Sequence, residues 1–233
     1  MKEPMYSDMQ YPYHRDQNGP TPLPPFVDEF DDIVSQLRWR LFDFCRIHHI
    51  VYAEMERWDQ KLDQIPKEAM DYQSDQTMED IKKIRLRQAV VDKDIENKRI
   101  ASFSDQIMVV GLWAICEQFV SKTYRRAVSM MNNCEESSIS VPYRWDQIKL
   151  RFSDIGIDIE GCENYQNADE CRALNNAIKH DPLVSDKLAA YGYFESYEGK
   201  VLDSVPLEMQ RYLNGISDFL GSLIERSNQA TKA

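Results

Sequence analysis

The segment from Glu170 to His180, ECRALNNAIKH, sets a guanidinium, an amide and an imidazole at Arg172, Asn176 and His180. On a helix turning about 100° per residue these three fall within roughly 80° of one another, a ladder at i, i+4 and i+8. Imidazole titrates near neutral pH, so His180 has the chemistry of a general acid or base toward a ribose hydroxyl or a leaving oxygen. Arg172 or Lys179 could stabilise charge growing on a phosphate in the transition state. Leu174, Ala177 and Ile178 lie on the other side, so a core can claim one face and leave the ladder free. The spacing predicts a helix over about 168–180, capped by Asn167 with Glu170 three residues on and stopped by Pro182. A plainer role competes with catalysis, because Lys179 and His180 also complement the negative end of a helix dipole.

An arginine followed by Asn-x-x-x-His at a helix end resembles the HEPN superfamily, all-helical domains whose signature is an arginine, four to six residues and a histidine. Leu112-Trp-Ala-Ile-Cys-Glu-Gln-Phe-Val120 is similar to that family's earlier helix with an inward glutamate. Trp145 through Ile159 resembles the amphipathic helix and turn that often precede the motif helix, so the likeness covers roughly residues 100 to 181. Seven residues separate Arg172 from His180, and Asn175 stands where an arginine would precede the motif asparagine. The resemblance implies a homodimer whose composite cleft holds Arg172, Asn176 and His180. It also implies metal-independent cleavage of RNA by internal transesterification, of the kind used in toxin–antitoxin or defence systems, with an antitoxin as a protein partner. No cofactor or metal is expected. The alternative is a catalytically degenerate helical module that keeps the fold and binds a protein partner or a nucleotide. The shifted arginine, Asn175 and the acidic balance of the chain favour that alternative.

Other residues are expected to support this helix. Glu117 sits on the stripe Phe103, Ile107, Val110 and Ala114, which reads as core-facing, and a buried carboxylate there needs Arg172 or His48 as its partner. His48 occupies a core position of the first helix, where a histidine hydrogen-bonded to a neighbour is expected; orienting a catalytic group is the other role open to it. Lys82-Lys-Ile-Arg-Leu-Arg-Gln88 reads as a solvated basic face, as do Lys149 and Arg151. A di-iron bundle would need Glu-x-x-His pairs, which the chain lacks.

These side chains must be positioned by helices. Phe30, Val34, Leu37, Leu41, Phe44, His48, Val51, Met55, Trp58 and Leu62 keep alternating spacings of four and three, which predicts a long amphipathic helix over 28–64. A capping box at Thr77 and Asp80 opens a second long helix to about Met131. A third, shorter helix follows Pro142, with Trp145, Ile148, Phe152 and Ile155 inward. A last one follows Ser204 and Pro206, with Leu213, Ile216, Leu220 and Leu223 on its apolar side. Tyr191–Phe194 and Tyr197–Val201 are consistent with a small hairpin or an irregular cover. The expected architecture is all-α: a single HEPN-like bundle over residues 26–229, built on two long antiparallel helices with three shorter ones, behind a proline-rich arm at 1–25.

Composition narrows the classes. Only eight glycines in 233 residues favour helix over a turn-rich sheet fold. A formal net charge of −11 argues against broad attraction to nucleic acid, although a local basic site is compatible with it. Five cysteines without a Cys-x-x-Cys pair suggest neither a zinc site nor a disulfide framework, so a reducing cytoplasm is the expected setting. No secretory signal is visible, and the apolar run Ile107–Val120, interrupted by Glu117, is shorter than the roughly 20 residues of a membrane span.

Overall fold

A computed structural model describes residues 27–69, 71 and 78–232. Both the proline-rich arm and Thr77 lie outside the described residues. Among the described residues six α-helices follow in order: α1 Asp31–Asp63, α2 Met78–Asn132, α3 Trp145–Asp154, α4 Tyr165–His180, α5 Asp186–Ala189 and α6 Met209–Ala230. Among the described residues there is no strand, only an isolated antiparallel bridge between Leu183 and Val201.

α1 forms where the four-and-three spacing places it, and Asp31 and Asp32 in its first turn complement the positive end of the helix dipole. Ile33, Leu37, Leu41, Phe44, His48 and Met55 are buried along it. Polar ties mark its run beside α2. His48 and Tyr52 both reach Asp105, while further along Asp59 accepts a hydrogen bond from the amide of Asn97.

α2 has 55 residues, about 80 Å at 1.5 Å per residue. Its buried side chains are concentrated from Gln106 to Ala127, the length that packs on α1, α4 and α6. From Met78 to Ile100 the sole buried side chain is Asn97. α6 supplies the most completely enclosed face, with Tyr212, Leu213, Ile216, Phe219, Leu220 and Leu223 all at the centre of the core. Tyr124 and Phe152 meet edge-on at 5.2 Å between ring centroids and fasten α3 to α2.

Residues 181–208 form an irregular cover rather than a hairpin. α5 and short 3₁₀ turns at Glu195–Tyr197 and Leu202–Ser204 bury Val184, Leu188, Phe194 and Leu202 over the bundle. Val184 exchanges backbone hydrogen bonds with Gly199 and Lys200, and Leu202 donates to the Pro182 carbonyl, so the two segments pair only around the single Leu183–Val201 bridge.

The stripe Phe103, Ile107, Val110, Ala114 and Glu117 does not face the core. Phe103 is 63% exposed and Ile107 52%, and Glu117 is at the surface, accepting a hydrogen bond from Trp113 Nε1 at 2.9 Å. The buried line is Val109, Leu112, Cys116, Val120, Thr123 and Ala127, which is likewise built of steps of three and four. α2 is therefore apolar on two faces. That is why it contains an 18-residue window of mean hydropathy 1.3, enough by length and composition to cross a membrane, with 39% of the window buried inside the protein.

Candidate functional site

α4 carries the ladder on a helix three residues longer at its start than its sequence suggests. Asn164, in the left-handed region at φ 54°, precedes the first turn, and Asn167 lies within the helix rather than capping it. The Asn167 amide donates to Asn164 Oδ1 at 2.6 Å and its own oxygen accepts from Arg211 at 2.8 Å. Glu170 likewise makes no cap.

Glu170 is instead the buried carboxylate of the bundle, 3% exposed. Arg211 on α6 grips it with two nitrogens, at 2.8 Å and 2.6 Å, and the Tyr212 hydroxyl donates to it at 2.8 Å. Such a bidentate pair has the geometry a desolvated carboxylate requires. The hydrogen bonds that Arg211 donates to Glu170 hold its guanidinium charged well above its ordinary range, and burial pushes the Tyr212 hydroxyl up. Gly215 makes the approach possible: a Cβ there would stand 2.7 Å from the Asn167 Cβ. A shallow polar cleft of about 360 Å³, lined by Asn164, Asn167, Glu208, Gln210, Arg211 and Asn214, opens beside this pair.

The ladder itself divides. Arg172 donates from Nε to Asp169 at 2.7 Å, and the Tyr191 hydroxyl donates to the other Asp169 oxygen. Burial works against the charge on Arg172, yet Asp169 raises its pKa above the ordinary value. Burial, then the bond to Asp169, also raises the Tyr191 hydroxyl. This arginine is therefore engaged, and it lies eight residues, about 12 Å of helix rise, from His180. Asn176, Lys179 and His180 are exposed on the last two turns. Asn175 is turned inward at 2% exposure, with its Nδ2 3.3 Å from Asn176 Oδ1 and its own Oδ1 lacking a hydrogen-bond partner among the described residues.

The expected supports lie elsewhere. His48 is buried and bound to Asp105 at 2.9 Å, so it ties α1 to α2 and takes no part at α4. Glu117 pairs with neither Arg172 nor His48, because its stripe faces outward. Lys149 is held by Glu160 at 2.8 Å, and Arg151 lies 3.9 Å from Asp154. The Asp169–Arg172 pair was legible as an i, i+3 contact. The Glu170–Arg211–Tyr212 cluster joins residues 41 and 42 apart and had no local signal.

Burial raises the thiols of Cys116 and Cys171 strongly, and that of Cys45 to about 12, so these three are packing groups rather than nucleophiles. No family model matches the chain, and no curated protein or solved structure matches it either.

Proposed function

We propose that this chain is a HEPN-like bundle, built on two long antiparallel helices, in its catalytically degenerate form. It binds a protein partner through the exposed end of α4. One observation carries the reading: the position where a motif arginine would stand is Asn175, buried, while the nearest arginine on the ladder is bound to Asp169 about 12 Å of helix rise from His180. A phosphate cannot be held by groups so separated within one chain. Asn176, Lys179 and His180 remain as a polar, solvent-facing surface, suited to hydrogen bonding with a protein, and the net charge of −11 disfavours an anionic nucleotide or RNA. A cytoplasmic setting belongs to the same proposal, supported by five unpaired cysteines, four of them buried.

The second reading is the metal-independent endoribonuclease of toxin or defence type. It is favoured by one feature, the adjacent exposure of Lys179 and His180 at a helix end. The test is incubation of mixed RNA with the purified protein in chelator, beside His180→Ala. No cleavage by the wild type is expected. Cleavage that disappears in His180→Ala would overturn the interaction reading and establish the nuclease.

A further inference from the structure

We infer that the outer face of α2 is the seam of an antiparallel homodimer, in which α2 of one copy lies along α2 of a second copy. A helix apolar all round is a buried helix, and among the described residues α2 between Ile100 and Ser121 is covered on one side only. The outward line Ile100, Phe103, Ile107, Val110, Ala114, exposed at its first three positions and half-buried at the last two, keeps the alternation of three and four that a helix–helix seam needs. It continues through Gln118 and Ser121 with Glu117 at its edge, and Asp105, the other charged side chain in these six turns, is turned toward α1, where His48 and Tyr52 bind it.

The order of side-chain sizes along the stripe selects the direction of the second copy. Ile100, Phe103 and Ile107 are large and lie toward the N-terminus; Ala114, Gln118 and Ser121 are smaller or more flexible and lie toward the C-terminus. Two parallel copies would set Phe103 against Phe103. Antiparallel copies related by a two-fold axis between Val110 and Gly111 set Ile107 against Ala114, Phe103 against Gln118 and Ile100 against Ser121, each knob facing a hole.

Charge selects the same register. Glu96 lies seven residues before Phe103 and Arg125 seven after Gln118, so the same axis brings Glu96 of each copy opposite the partner's Arg125. Arg125 is exposed, making a 3.3 Å hydrogen bond to the Ile139 carbonyl, and Glu96 makes a half-buried i, i+3 pair with Lys93 at 2.9 Å, a class of interaction worth little. Exposed Trp39, Ile47 and Ile50 on α1 provide further apolar surface. The seam leaves α4 uncovered, so two protein-binding faces project from one dimer.

The test is sedimentation velocity and light scattering at tens of micromolar, with circular dichroism to follow folding. The wild type is expected to be a dimer. Phe103→Glu and Ile107→Glu, both at exposed positions, should keep the helical signal and weaken dimerisation by roughly 30-fold or more. Glu96→Arg and Arg125→Glu should each weaken it, and the two together should restore it. A monomeric wild type would overturn the inference, as would a dimer indifferent to Phe103→Glu or a charge swap without rescue. Binding of the wild-type monomer to phosphatidylcholine–phosphatidylglycerol vesicles, abolished by Phe103→Glu, would assign the stripe to a lipid surface instead. None of these outcomes depends on whether α4 binds a partner or cuts RNA.

Discussion

The two halves of α2 are one continuous helix held by different physics. From Gln106 to Ala127 one face of it is packed into the bundle, and side chains such as Val109, Leu112 and Cys116 are wholly buried. From Met78 to Asp105 its ties to α1 include the polar pairs Asp59 with Asn97 and His48 and Tyr52 with Asp105, and Lys93 stands over the Trp58 ring. Apolar burial contributes stability in proportion to area, whereas hydrogen bonds each contribute about 1 kcal/mol net. The difference teaches that helix length and helix stability are separate quantities. The packed half anchors the bundle and the other extends from it.

The sharpest way to break the comparison is a pair of truncations. Leu112→Ala, at a fully buried position, is expected to cost about 2–5 kcal/mol in chemical denaturation, while Val91→Ala, at an exposed one, should stay within about 0.5 kcal/mol. Equal losses would refute the division.

Next in size is the ion pair between α4 and α6. Arg211→Ala leaves Glu170 buried without its cation and should cost about 3 kcal/mol, the lower end of the usual range because Arg211 is itself partly exposed. Arg211→Lys, which lacks the bidentate fork, should recover only part of the loss. Full recovery would mean that charge alone matters there.

A smaller effect sharpens the contrast along α2. Asn97→Ala should cost about 1 kcal/mol and hasten amide exchange in the half before Asp105 while leaving protection from Val109 to Ala127 unchanged. Loss of protection along the whole helix would show that its two halves unfold together.

The smallest effect concerns the start of α1. Lys232 donates to Asp28 at 2.6 Å, with further bonds from the Phe30 amide and Asn228, and these lower the Asp28 pKa to about 2. A carboxylate depressed on folding contributes stability above its unfolded value, near 4, and loses it as pH falls toward 2. Thermal melts of wild type and Asp28→Asn should therefore differ most at pH 6, and the gap should narrow as pH falls from 4 toward 2. A constant gap would show that Asp28 acts through packing.

The helices α1, α2, α3, α4 and α6 were legible in the sequence, since an amphipathic repeat such as Leu213, Ile216, Leu220 and Leu223 fixes both the element and its inward face, whereas the four-residue α5 is too short to show a repeat. α2 was legible as a helix but not in its orientation. Two apolar stripes with the same spacing run along it, and local sequence contains nothing to rank Phe103–Ile107–Val110 below Val109–Leu112–Cys116. Contacts with α1, α4 and α6 make that choice, and it moves Glu117 from the core to the surface. The same holds at the candidate site. The order Arg172, Asn176, His180 follows from helix geometry alone, but the engagement of Arg172 depends on Tyr191 across the cover as well as on Asp169. The role of Glu170 depends on Arg211 and Tyr212, which reach it only because Gly215 lets α6 approach α4. Periodicity acts over one or two turns and is written in the chain, whereas the partner of a buried charge is set by distance in space, which only the packed bundle defines.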